Sequence, residues 1–316
     1  IANGMAQLGW HQRPHELHQL QAAAAVGQMG LINAYQRAFE AHEIQTAQVL
    51  LTSADLNSRV RYLNARSALR SMLGLGIIPV INENDTVATE EIKFGDNDSL
   101  GALVGNLVEA DYLIILTDQE GLFQDDPRIN PNTRLVREGR AGDPSLEKFA
   151  GGSGVLGRGG MQTKLQAAAK VARSGASTVI CSGHDIQNLL KVYEGDVPGT
   201  LLHASSGRIA ARKQWLADRM QSSGTLFLDA GAVEVLEGSG RSLLPVGVGK
   251  VTGSFLRGDL VDCVAIDSGR IVARGLVNYS AEESAKIAGR ASGDIEQILG
   301  FVDEPEIVHR DNMVVL

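Results

Sequence analysis

Cysteine is scarce in this chain, with two in 316 residues, so no disulfide framework can hold the fold together. Cys181 and Cys263 each sit inside an apolar run, which fits a reducing, cytoplasmic setting. Aromatic residues make up 4%, leaving few flat surfaces on which nucleic-acid bases could stack. Positive charge is also short: 29 Lys plus Arg stand against 37 Asp plus Glu, a net charge of -8. That excludes a broad electrostatic surface for nucleic acid, and any anionic ligand must be gripped locally. No apolar stretch approaches the roughly 20 residues that span a bilayer, and no stretch of the given sequence reads as a secretory signal. His11, His15 and His18 could share a helical face, but Pro14 interrupts it. Without an acidic or thiol partner they are expected to be solvated surface residues, and no metal-ligating set is assigned.

With 44% hydrophobic and 21% charged residues, the composition is that of a globular protein with a real core. The length predicts two domains. The chain is organised around P-V-I-N-E-N-D-T-V-A-T-E-E-I-K-F-G-D-N-D-S, residues 79–99. Ile77, Ile78, Val80 and Ile81 predict a buried parallel-type strand ending at Asn82. Open α/β sheets bind ligands beyond the carboxyl ends of their strands. Asn82, Glu83, Asn84 and Asp85 would project there, and the excursion over 86–95 would return Asp96, Asn97 and Asp98 beside them. Amides can hold a carboxylate without like-charge repulsion, and an Asp can pair with an ammonium, so an amino acid is a good chemical match. The competing interpretation is an Asn/Asp-rich turn that caps strand and helix.

Helical spacing of Leu17, Leu20, Ala24, Leu31 and Tyr35 predicts helix between Pro14 and Phe39. A strand over Thr46–Leu51 follows, then a helix capped by Ser53 that carries Leu56, Val60, Leu63 and Met72 toward the core. A helix over Ser99–Val108, a strand over Tyr112–Leu116, a helix over Met161–Arg173 and a strand over Thr178–Cys181 continue the alternation. This predicts a three-layer α/β arrangement, a mostly parallel sheet with helices on both faces. Thr117 and Asp118 stand at a strand's carboxyl end, and Gly157 to Lys164 leads into a helix. Glycines at a helix start let backbone N–H groups and the helix dipole meet phosphate, and Lys164 adds a mobile cation. The spacing is not that of a P-loop, so a plain flexible loop before a helix stays open. The Ser/Gly-flanked basic stretch 205–222 predicts a linker, and the short glycine-separated runs of 223–316 predict a small, mostly β barrel.

V-I-N-E-N-D (80–85), F-G-D-N-D (94–98), L-T-D-Q-E-G-L-F (116–123), D-P-R (126–128) and G-G-M-Q-T-K-L-Q-A-A (159–168) together resemble the glutamate 5-kinases of the amino acid kinase family. L-D-A-G-A-V, S-L-L-P-V-G-V and F-L-R-G-D-L-V resemble the PUA domain that many of these enzymes carry. The resemblance implies an amino acid kinase domain over 1–204, a linker over 205–222 and a PUA domain over 223–316. It implies ATP-dependent phosphorylation of the γ-carboxylate of L-glutamate, the first step of proline synthesis, with Mg²⁺ as the accompanying cation. Asn82, Asp85 and Asn97 would bind glutamate, and Asp98 would orient the catalytic Lys164. Thr117, Asp118 and the run Arg158, Gly159, Gly160, Met161, Gln162, Thr163 and Lys164 would meet ATP. Feedback inhibition by proline and a homodimer or homotetramer are implied in the same way.

The family also places a lysine and glycine phosphate motif on its first strand and a Ser/Gly substrate segment after its second. Neither stands before Ile1, so this chain is expected to be part of a longer protein and inactive without the rest. Related kinases of acetylglutamate, aspartate, carbamate or UMP are the near alternatives, though they lack the second domain. RNA binding through that domain is the distant one. Residues 223–316 hold 8 Lys plus Arg against 14 Asp plus Glu, the reverse of a nucleic-acid footprint.

Overall fold

The computed structural model describes residues 1–87, 97–150, 160–204 and 222–316. The expected linker over 205–222 falls, except for Ser222, outside the described residues, as do Asp96, Arg158 and Gly159. The chain divides into two compact units, Ile1–Arg208 and Ile209–Leu316. Among the described residues no helix is long and apolar enough to cross a membrane.

In the first unit, α1 (Ala2–Gln7) lies against α2 (Leu17–Glu40). Their backbones meet at Gly4 and Gly27, where a Cβ on Gly27 would stand 2.5 Å from the Gly4 nitrogen. Only glycine allows that approach. β1 (Thr46–Leu51) pairs in parallel with β2 (Ile78–Glu83), and between them run α3 (Ser53–Asn57) and α4 (Arg59–Gly74). The helix cap is Thr52, not Ser53: its side chain accepts from the Asp55 amide while Asp55 accepts from the Thr52 amide, a reciprocal capping box. The break at Ser58 turns Val60 outward, 41% exposed, whereas Leu56 and Leu63 are buried.

The chain continues through α5 (Asn97–Val108), β3 (Tyr112–Thr117), β4 (Glu138–Arg140), α6 (Met161–Val171), β5 (Ser177–Ser182), α7 (Gln187–Glu194) and β6 (Thr200–His203). The strand order is β3-β5-β6-β4, with β5 and β6 antiparallel and the other pairs parallel. The pairing is therefore mostly parallel, as expected, but the described strands form two ladders rather than one sheet. β2 is half-buried along Ile78–Asn82 instead of fully buried, because among the described residues it is paired only with β1. The antiparallel β6 was not expected.

α5 serves both cores of this unit. Leu100, Leu103 and Leu107, three and four residues apart, pack into a cluster with Leu51, Leu56 and Leu69, while Ala102 belongs to the cluster of Ile115, Leu165, Ala168, Val171 and Ile180. Gly105 lets Val171 of α6 come close, and the Asn106 amide donates to the Lys170 carbonyl at 3.2 Å. These contacts hold α5 and α6 side by side, with their amino ends presented together.

The second unit has one five-stranded sheet, ordered β11-β10-β9-β7-β8. Its strands are β7 (Gly224–Leu228), β8 (Val248–Gly253), β9 (Leu260–Ala265), β10 (Ile271–Leu276) and β11 (Met313–Val315). α8 (Ala230–Ser239), absent from the sequence reading, is capped by Asp229, which accepts from the Ala232 amide at 2.7 Å. Cys181 and Cys263 are buried free thiols. His11, His15 and His18 are exposed, as expected, and His18 lies 2.9 Å from the exposed Glu16 carboxylate.

Candidate active site

Three elements deliver the polar side chains. β2 ends in Asn82 and Glu83, α5 begins with Asn97 and Asp98, and α6 begins just after Gly160. Helix α5 starts two residues earlier than its apolar pattern predicts, so Asn97 and Asp98 occupy its first turn, where an acidic side chain complements the helix dipole. The Asn97 amide donates to Asn82 Oδ1 at 3.3 Å, closing the gap between the N-E-N-D and G-D-N-D motifs. Asp98 faces α6, and its Oδ2 receives Lys164 Nζ at 2.9 Å and Thr163 Oγ1 at 3.1 Å.

Lys164 is not the mobile cation expected from its glycine-rich surroundings. It is buried, its side chain 11% exposed against 18% for Asp98. A buried ammonium is stable when a carboxylate and further hydrogen bonds replace its water. The ion pair also sets a direction, because the helix that carries Lys164 packs along the helix that carries Asp98. The start of α6 has Gly160 as its cap, no capping side chain and no acidic residue in the first turn. Such a terminus, flanked by a fixed cation, suits a phosphate.

Asp85 is half-buried and shares a cavity of about 110 Å³ with Asn82, Gln28 and Asn3. Thr117 ends β3 and donates to Asp118 at 3.0 Å, with Asp118 exposed. The motif around them is held from behind: Thr200 Oγ1 accepts from the Leu122 amide at 2.9 Å and donates to the Val136 carbonyl at 2.6 Å. A Cβ on Gly121 would lie 2.7 Å from that hydroxyl, which is why glycine stands there. Gly160, Met161 and Gln162 form the exposed to half-buried lip of α6.

The structure thus joins Asn82 to Asn97, and Asp98 to Thr163 and Lys164, with Asn97 and Asp98 adjacent in sequence. Asp85 lies on the cavity that Asn82 borders. Thr117 and Asp118 are bonded to each other at the end of β3 and carry no bond to this cluster among those described. Arg158 and Gly159 lie outside the described residues. Gln28 was missed by sequence reasoning. Its Oε1 accepts from Asn82 Nδ2 at 2.8 Å. The signal was available, since Leu20, Ala23, Ala24 and Gly27 form the buried stripe of α2 and Gln28 follows Ala24 by four residues.

The amino acid kinase family model matches residues 1–182 and the PUA domain model matches residues 224–299. The chain belongs to the amino acid kinase family. Within it, the chain is 60% identical to the glutamate 5-kinase of Thioalkalivibrio sulfidiphilus over 317 residues, covering 100% of this chain and 84% of the relative. It is 59% identical to the glutamate 5-kinase of Azoarcus sp., covering 100% and 85%. Isopentenyl phosphate kinase, among solved structures, aligns at a TM-score of 0.41 with 18% identity, over 60% of this chain and 74% of that one.

Proposed function

We propose that the protein transfers the γ-phosphoryl group of ATP to the γ-carboxylate of L-glutamate, giving L-glutamyl 5-phosphate for proline synthesis. The observation that carries this is the pairing of two sites on adjacent residues. Asn97 reaches the amide cluster on β2, while Asp98 holds Lys164 at the phosphate-binding end of α6. An amino acid at the first and a nucleotide at the second would bring acceptor and phosphoryl group together. Identity to glutamate 5-kinases along the whole chain selects glutamate among amino acids.

Carboxylate attack on a γ-phosphate brings two anions together, so positioning and charge stabilisation supply most of the catalysis. Lys164 is fixed where charge gathers on the transferring group. Asp98, itself beside Thr163, pairs with the ammonium and keeps it aimed. Asn82, Asp85 and Asn97 bind glutamate: the amides meet its carboxylates, and Asp85 pairs with its ammonium. Thr117, Asp118 and the lip from Arg158 to Thr163 meet the nucleotide. Among the described residues no three His, Cys, Asp or Glu side chains are grouped as metal ligands. Mg²⁺ would enter on ATP, keeping waters and phosphate oxygens as ligands. When bound, it would neutralise charge on the phosphates.

The division of labour is a kinase domain over 1–204, a linker over 205–222 and a PUA domain over 223–316 with a structural or regulatory role. Proline, which shares glutamate's ammonium and α-carboxylate, would compete at the Asn82 and Asp85 cavity. A homodimer or homotetramer follows from the resemblance, and two buried free thiols suit a cytoplasmic enzyme.

Release of ADP by the full-length protein, with glutamate, aspartate, acetylglutamate, carbamate and UMP offered in turn, tests the assignment. Turnover with glutamate and a glutamate KM raised by proline are expected. Turnover with another acceptor, or salt-sensitive retention on RNA without turnover, contradicts it.

A further inference from the structure

Gln28 stands behind the glutamate cavity rather than in any motif. It projects from the middle of α2 and is half-buried, and its Oε1 accepts from Asn82 Nδ2 at 2.8 Å. Asn82 in turn accepts from Asn97 at 3.3 Å, so three amides form one directional relay from α2 through the end of β2 to the start of α5. An amide can turn over and exchange its oxygen for its NH₂ at little steric cost. In this relay the orientations of Gln28 and Asn82 are coupled, because an Asn82 oxygen turned toward Gln28 Oε1 would set two acceptors against each other.

The other end of the Gln28 amide is equally informative. Gln28 Nε2 is enclosed and has no hydrogen-bond partner. A buried donor left unmade is costly, and one kept in a native structure calls for an explanation. Gln28 borders the cavity of about 110 Å³ together with Asn3, Asn82, Glu83 and Asp85. Asn3 is itself committed, donating to the Gly27 carbonyl at 2.9 Å.

We infer that Gln28 is a substrate-positioning residue: its Oε1 holds Asn82 by a hydrogen bond, and its Nε2, enclosed and unpartnered here, is the donor that a carboxylate oxygen of the amino acid meets as it seats. The inference rests on the reading of Asn82 as a glutamate ligand. Gln28 acts on binding in the ground state and transition state alike, so its removal moves KM and not kcat.

The test uses the full-length enzyme and the variants Gln28→Met, Gln28→Glu, Asn82→Ala and the double variant Gln28→Met/Asn82→Ala. Gln28→Met loses acceptor and donor and keeps the side chain's length. Gln28→Glu still accepts from Asn82, loses the donor and adds a negative charge beside the cavity, which keeps the test open if the Met variant does not fold. The glutamate KM is expected to rise about tenfold in Gln28→Met, the size of one hydrogen bond, and by at least as much in Gln28→Glu, whose added charge repels the substrate carboxylate. The kcat, the KM for ATP and the melting temperature stay near wild type. The double variant should raise the KM by less than the product of the two single effects, because two residues in one relay couple. An unchanged glutamate KM in a folded Gln28 variant overturns the inference, as does an equal shift in the KM for ATP. So does an effect that multiplies in full on top of Asn82→Ala. If Asn82→Ala itself leaves the glutamate KM unchanged, the substrate-site reading fails and the inference goes with it. If Asn82→Ala raises the KM and Gln28→Met does not, the inference alone fails.

Discussion

Replacing Lys164 by Met separates what the buried ion pair does for folding from what it does for catalysis. Lys164 Nζ and Asp98 Oδ2 are 2.9 Å apart with little exposure on either side. At an effective dielectric of about 20 their attraction is roughly 6 kcal/mol. Most of that is offset by the desolvation of both groups. Methionine fills similar volume and leaves the Asp98 carboxylate enclosed with the Thr163 hydroxyl still donating to it. The expected stability loss is therefore about 3–5 kcal/mol, the cost of removing one partner of a buried ion pair. The expected loss in kcat is roughly 10² to 10³, the scale of removing one preorganised transition-state donor. Adding Asp98→Asn to Lys164→Met removes the uncompensated charge, so stability should recover in part while activity does not. Urea unfolding and steady-state turnover read the two quantities separately. A kcat loss of tenfold or less, or activity that returns with stability in the double variant, refutes a direct role for Lys164 in phosphoryl transfer.

Three more expectations can be checked with single substitutions. Asp85→Ala should raise the glutamate KM and leave kcat near wild type, because its pair with the ammonium exists before and during transfer; an unchanged KM removes Asp85 from the site. Gly121→Ala should destabilise the first unit by about 1–3 kcal/mol through overpacking, since its Cβ would sit 2.7 Å from Thr200 Oγ1, and a melting temperature equal to wild type would mean the loop yields freely. Thr52→Ala should cost about 1 kcal/mol at neutral pH as a lost cap. The Thr52 hydroxyl and the nearby Arg61 hold the Asp55 carboxyl below its usual range. That contribution is present above the unfolded value of about 3.9 and fades as pH falls through the lower folded value. The difference between wild type and Thr52→Ala should accordingly shrink in acid, and a constant difference would assign the cap's effect to something other than Asp55.

The strand–helix alternation was legible because β-branched runs such as 77–81 and 178–181 and the spacing of Leu100, Leu103 and Leu107 carry clear periods. The approach of N-E-N-D to G-D-N-D was legible for a topological reason: a strand's end and the start of the next helix lie at one edge. Other features depend on distant partners. Lys164 looked free because its counter-ion is 66 residues away in sequence. The Thr52 cap hid behind an equally good Ser53. α8 hid because its residues A-G-A-V-E-V-L-E-G-S mix two glycines with a weak apolar stripe, although Asp229 and the left-handed Gly240 bracket it. Gln28 carries no motif; its spacing from Ala24 places it beside the buried stripe of α2, and its role comes from what it touches.

The central claim is that this amide and lysine cluster directs phosphate onto a side-chain carboxylate. Hydroxylamine trapping in the presence of ATP, with the product's hydroxamate located by mass fragmentation, tests that most directly. The account predicts γ-glutamyl hydroxamate from the full-length protein and almost none from the Lys164→Met variant. Hydroxamate on the α-carboxyl, or none from a folded protein that binds ATP, would contradict it.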